Sequence, residues 1–192
     1  MFLPVRSASA VLLGAVLSTA SPLAAAQQKL LPQQSEVAFG IRQMGVPVEG
    51  RFRRFDAQVA LDSKKPEAGK VSITIDTASA SFGVADVDDE LPKPIWFGTA
   101  KFPQATFQST AIKAIGSGRL DVAGKLTVKG SARDVVVPVT LAQAGGTTTA
   151  SGSFTIRRLD FKIGEGEWAD TSMVANDVQV RFKLAFSGVG PL

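Results

Sequence analysis

Residues that carry most enzyme chemistry are missing from this chain. It has no histidine, no cysteine and no tyrosine. Those absences remove the usual neutral-pH base, the soft metal ligands and the thiolate nucleophile. Carboxylates remain. Asp160, Glu165 and Glu167 are close enough in sequence to pair as acid and base, as a hydrolase or lyase would require. Carboxylates in a charged loop are more often simply solvated. Asp86, Asp88 and Glu90 occupy the first, third and fifth places of a possible calcium loop. The sixth place is Leu91 instead of glycine and the twelfth is Phe97 instead of glutamate, so the acidic first turn of a short helix fits better. Gly164-Glu165-Gly166 lacks the third glycine and the following helix of a dinucleotide loop. Arg51-Phe52-Arg53-Arg54-Phe55 interleaves basic and aromatic residues as single-strand nucleic-acid grooves do. A strand with solvated arginines outside and phenylalanines inside explains it better, so no nucleic-acid partner is expected. The remaining chemistry is apolar. Trp96, Phe97, Phe102 and Trp168 fall in irregular segments, which suits a rim over a cavity, although core packing is the commoner use of such residues.

Strands must position these residues. The strongest pattern runs over 120–141. Leu120, Val122, Leu126 and Val128 alternate with polar residues, Lys129-Gly130-Ser131 makes a turn, and Val135, Val137, Val139 and Leu141 resume the alternation. Period-two patterning across a glycine-containing turn predicts a hairpin. The same pattern predicts strands over 35–42, 55–62, 71–76, 105–111, 149–156 and 178–186. Pro47 and Gly50 interrupt the chain after the first of these, and Pro138 suggests an edge or a bulge in its strand. Residues 84–97 break the alternation, with a short helix before Pro92. The expected fold is therefore all-β, an antiparallel eight-stranded barrel with one short helix. A two-sheet β-sandwich fits the alternation nearly as well. Ala57, Ser109, Ala111 and Gly124 are small residues on inward faces. They either fit a barrel's taper or leave space inside.

Residues 1–26 read as a secretory signal peptide: Arg6, an apolar run over 10–17, Pro22, then Ala24-Ala25-Ala26. One domain is expected over 27–192, beginning at Gln27 after cleavage. No later apolar run is long enough to span a membrane. The net charge of +4 includes Arg6 and demands no acidic partner. No disulfide can form, and no cofactor is implied.

The order of motifs resembles the YceI-like family of exported, lipocalin-like, polyisoprenoid-binding proteins. Ser35-Glu36-Val37-Ala38-Phe39 and Val48-Glu49-Gly50-Arg51-Phe52 match its first strands, and Ile75-Asp76-Thr77-Ala78-Ser79 follows. Phe102-Pro103-Gln104-Ala105-Thr106-Phe107-Gln108-Ser109 is the most specific element. Gly124-Lys125-Leu126-Thr127-Val128-Lys129-Gly130 with Arg133-Asp134-Val135, then Arg158-Leu159-Asp160-Phe161, complete the series. The resemblance implies a lipocalin-like barrel whose apolar channel takes an isoprenoid lipid, polyprenyl or quinone-like. Phe39, Phe52, Phe107, Phe154, Phe182 and Trp96 are the expected channel lining. It also implies a periplasmic binding or carrier protein with no catalytic residue, and leaves a homodimer open. The rival readings are a secreted stress-response or interaction module with a filled barrel and, behind it, a carboxylate-based enzyme.

Overall fold

In the computed structural model, residues 28–192 are described. The leader expected over 1–26 and the start at Gln27 lie outside them. Eleven antiparallel strands form one curled sheet. They are β1 (Lys29–Leu30), β2 (Glu36–Gln43), β3 (Val46–Phe52), β4 (Phe55–Ala60), β5 (Lys70–Asp76), β6 (Ala80–Ser81), β7 (Gln104–Gly116), β8 (Arg119–Val128), β9 (Ser131–Ala144), β10 (Thr147–Arg157) and β11 (Asp177–Ser187). The order across the sheet is β4-β5-β7-β8-β9-β10-β11-β2-β3-β6, with β1 added on β11. A single α-helical turn, α1 (Ala85–Asp88), lies between β6 and β7.

All eight expected strands are present, and β1, β3 and β6 are additional. Strand β3 escapes the pattern because Pro47 and Gly50 look like breakers. Here Pro47 lies opposite Arg42 at the tip of the β2–β3 hairpin, and Gly50 lies opposite Phe39. A Cβ on Gly50 would sit 2.5 Å from the Phe39 ring, so the glycine is required by close packing. Strand β8 pairs with β9 from Arg119 opposite Thr140 to Val128 opposite Ser131. The two-residue turn between them places Lys129 (φ 46) and Gly130 (φ 72) in the left-handed region. Pro138 stays inside the sheet order, but the β9–β10 ladder covers only Thr140 to Ala144 on β9, so the proline sits beyond it and interrupts no β9–β10 pairing. A register shift between Ser109 and Ala111 in β7 reverses the inward face, so Ile112 is buried and Ala111 exposed. Strict alternation past a bulge fails for this reason.

Hydrogen bonding does not close the barrel: β4 and β6, at the ends of the order, are unpaired with each other. The seam beside β4 is partly bridged by Gln28. Its side-chain amide donates to the Leu61 carbonyl at 2.6 Å and accepts from the Leu61 N–H at 2.9 Å, imitating one rung of a sheet. At the opposite end the chain leaves the strands in two long segments, 77–103 and 158–176, and in the tight turns at Met44-Gly45 and Lys129-Gly130.

Candidate functional site

Inward-facing apolar residues of nearly every strand surround a cavity of about 870 Å3. It runs the length of the barrel. Leu141, Thr148, Phe186 and Val189 line one end, while Gln43, Glu49, Asp86, Glu90, Trp168 and Val174 line the other. Phe39, Phe52, Phe107, Phe154, Phe182 and Trp96 all lie on this wall, as do Phe97 and Trp168. Phe102 is not among the lining residues; it covers Gly130, where a Cβ would meet its ring at 2.8 Å.

The aromatic residues are held in two ways. Phe39 contacts Phe52 and Phe82 with ring centroids 5.1 and 5.2 Å apart, and Phe52 reaches Phe97 at 5.9 Å. In addition, Phe39, Phe107 and Phe182 each lie over a glycine of a neighbouring strand, where an added Cβ would come within 2.5, 2.4 and 2.6 Å of the ring: Gly50, Gly124 and Gly152. Each of these rings takes the space that a side chain at the glycine would fill, so it packs close against the wall. The four small residues therefore do not open the lumen: Gly124 is covered by Phe107 and Ala111 faces outward. Ser109 accepts the Val71 N–H through Oγ, and Ala57 packs among buried residues such as Leu30, Val37 and Leu184, off the main cavity's lining.

Arg158 is the one basic residue on the lining. It is 1% exposed. Nε donates to Ala175, Nη1 to Ile163 and Gly164, and Nη2 to Trp168 and Val174, all to backbone carbonyls at 2.6–3.0 Å. A guanidinium has five N–H donors, and five carbonyls match them. Arg158 thus folds segment 158–176 over the end of the barrel. Trp168 from this segment meets Trp96 from the other at 5.5 Å between centroids, and the Gly164 N–H donates to Ile95 at 2.8 Å. The signal for Arg158 was legible: Ala150, Gly152, Phe154 and Ile156 alternate inward, and the period carries on to 158. Lys129 ties the same segments, its Nζ donating to Lys162 at 2.5 Å and to Ile95 at 3.4 Å. Burial pulls the Lys129 ammonium below its ordinary value, partly offset by Glu165 at 3.9 Å.

Asp160 and Asp88 have structural partners, while Glu167 and Asp86 are exposed at the surface. Asp160 accepts from Arg157 at 2.9 and 3.1 Å. Asp88 accepts from the Ser81 hydroxyl and the Phe82 N–H, both at 2.6 Å, and so fixes the turn before α1 rather than marking an ion site. Arg54 pairs with Asp76 at 2.8 Å, Arg53 donates to Ser81, and Phe52 turns inward, which separates the basic and aromatic members of that stretch.

Comparison with known proteins decides the family, because the YceI-like domain matches residues 29–186. The chain belongs to the YceI-like family. A UPF0312 protein of Pseudomonas aeruginosa is 33% identical over 167 residues, covering 82% of this chain and 87% of that one. Protein YceI of Salmonella paratyphi B is 39% identical over 132 residues, covering 67% and 66%. Among solved structures, BcnA of Burkholderia cenocepacia superposes with a TM-score of 0.80 at 44% identity, covering 82% of this chain and 99% of that one. A polyisoprenoid binding domain from Saccharophagus degradans shares the fold, with a TM-score of 0.68 at 16% identity, covering 84% and 98%.

Proposed function

We propose that the protein is an exported carrier that holds an isoprenoid lipid, with a polyprenyl or quinone-like tail inside the barrel. The cavity carries this reading. Protein interiors are close-packed, and ligand pockets span roughly 300–1,000 Å3. An apolar space of about 870 Å3 is far larger than the voids of a packed core and falls in the range of ligand pockets. Water would find few polar partners on this wall, whereas a hydrocarbon chain gains about 25 cal/mol for each Å2 it buries. The five Arg158 donors are already committed, so tail burial, not a head-group contact at Arg158, supplies the binding energy. That the fold serves a polyisoprenoid binding domain in Saccharophagus degradans is consistent with this assignment. The residues to which we assign the ligand contacts are Phe39, Phe52, Phe107, Phe154, Phe182 and Trp96.

Native mass spectrometry of gently purified protein tests the reading. A bound mass matching a prenyl lipid supports it, and apo protein after several mild extractions, refractory to added prenyl lipid, refutes it. The leader over 1–26 would deliver the carrier to the periplasm, where an unaccompanied isoprenoid is insoluble. Fractionation that retained the protein in the cytoplasm would remove that part of the proposal.

A further inference from the structure

Among the described residues eight large apolar side chains are exposed, and five of them gather at one end of the barrel, while Ile115, Val136 and Leu192 stand apart. Met44 is 73% exposed and Val46 61%, and Val84, Val87 and Met173 are exposed as well. Met44 donates its N–H to the Met173 carbonyl at 2.7 Å. Val46 lies opposite Gln43, a residue of the cavity wall. Val84 and Val87 are themselves part of that wall, next to the acidic end of the lining. Strand β6 pairs Ser81 with Arg51 and Ala80 with Phe52, so the chain after it runs back along β3 toward Val48 and Val46. The apolar wall of the lumen therefore continues outward over a lip made by the β2–β3 turn, α1 and Met173.

Met44 is also held against its backbone preference. Its φ is 49, beside Gly45 at 81. A two-residue turn with both residues in the left-handed region favours Asn-Gly, and a bulky side chain there is strained. Lys129-Gly130 adopts the same turn with its side chain bonded inside the fold, whereas the Met44 side chain is turned to water, and it is this exposure that points to a partner. The lip carries no basic patch. Arg181 pairs with Glu49 at 2.7 Å, Lys93 pairs with Glu90, and Arg42 stands at the same end as Asp86. An anionic membrane would select for clustered lysine and arginine and would repel the exposed carboxylates Asp86 and Asp89 at α1, whereas an apolar lip edged by those carboxylates is tolerated by a zwitterionic surface.

We propose that this lip docks on a zwitterionic lipid bilayer and that the lipid enters the cavity there. Its purpose rests on the lipid reading of the cavity, but docking is measured separately from capture. Phosphatidylcholine vesicles, and vesicles containing phosphatidylglycerol, are sedimented with the protein at about 0.15 M salt, where surface charges are screened beyond ~8 Å. The full chain binds the neutral vesicles, and phosphatidylglycerol adds little. Met44→Asn with Val46→Asp lowers binding by about a hundredfold, since each buried apolar side chain contributes roughly a factor of ten. Met44→Asn alone keeps or raises the melting temperature, as asparagine accepts the turn conformation. Val87→Asp repeats the loss of docking from a second segment, while Ile115→Asp, in the last residues of β7 at the far end, leaves docking unchanged.

Absence of binding to neutral vesicles overturns the proposal. So does binding that needs phosphatidylglycerol and disappears with salt, or binding indifferent to the lip variants. If those variants instead dissociate a dimer that ignores vesicles, the lip joins two copies and the proposal fails. A prenyl mass on protein that never touches vesicles ends the docking proposal and preserves the cavity reading. Docking by protein that captures no prenyl lipid does the reverse.

Discussion

Two segments border the same end of the cavity and are built on opposite terms. Segment 158–176 is held from inside by Arg158, whose donors are all matched by buried carbonyls. The lip formed by Met44, Val46, Val84 and Val87 shows apolar side chains to water, and α1 beside it is a single turn. Buried polar networks fix one arrangement because an unmatched member is so costly, whereas exposed apolar groups on short turns fix little. The comparison assigns different work to the two segments. One is tied down over the end of the barrel, and the other is the segment to which the proposed docking and entry are assigned.

The sharpest way to break that comparison is Arg158→Gln. Glutamine cannot reach and satisfy five carbonyls in place of the fork, so several buried acceptors are left without donors. Loss of a buried charged network of this kind costs about 3–5 kcal/mol. A large fall in melting temperature is expected, with new protease sites between residues 158 and 176. Arg158→Lys should rescue little, because one ammonium cannot span the fork's directions. A melt unchanged by either substitution would mean that segment 158–176 is held by something else.

A smaller effect separates wall from lumen. Gly124→Leu drives a side chain into the Phe107 ring, where even a Cβ would stand 2.4 Å away. Overpacking typically costs about 1–3 kcal/mol. Ala150 instead faces the cavity, so Ala150→Phe has empty volume to occupy. Apo stability should hold or rise while prenyl binding falls sharply. Equal destabilisation by the two changes, with binding intact for Ala150→Phe, would mean that the lumen is already filled by protein.

These contrasts also show what the sequence could reveal. Alternation over 120–141 marked β8 and β9 because both strands are regular and half-buried. Phe39, Phe107, Phe154 and Phe182 on the cavity wall were legible for the same reason, inward phase being a local property. Trp96 lies in an irregular segment and Phe52 in the hidden β3, where no phase marked them. Ala111 was misplaced by the bulge after Ser109, which no local pattern announces. Gly50 hid β3, since a glycine needed under Phe39 looks the same in sequence as one that ends a strand. The empty lumen was least legible. It comes from how far the sheet curls and from rings packed against Gly50, Gly124 and Gly152, both properties of strand pairing that no single strand's pattern carries.

The finest test of the two-segment contrast is acid. Asp88 is held below the ordinary carboxylate value of 3.8, chiefly by the Ser81 hydroxyl, with the Phe82 and Gly83 N–H groups and Arg53 adding to it against the opposing effect of burial. A carboxyl whose folded value is depressed contributes in full above its unfolded value, and that contribution disappears as pH falls through the lower folded one. The window thus opens below about pH 4. Asp88 fixes only the turn from Ser81 to α1, so the global melt should move little. Hydrogen exchange, corrected for intrinsic rates, should instead show residues 82–88 losing protection in acid while the part of 158–176 tied to Arg158 keeps its own, because Arg158 does not titrate there. Asp170, also held low by the Ser172 hydroxyl and N–H, confines any acid loss in that segment to the turn at 170–172. Asp88→Asn removes the ionisable group and should abolish the acid step, leaving the lip looser at neutral pH than in the parent. Protection of residues 82–88 that follows the same pH course in the variant and the parent would exclude Asp88 as the residue that holds the lip.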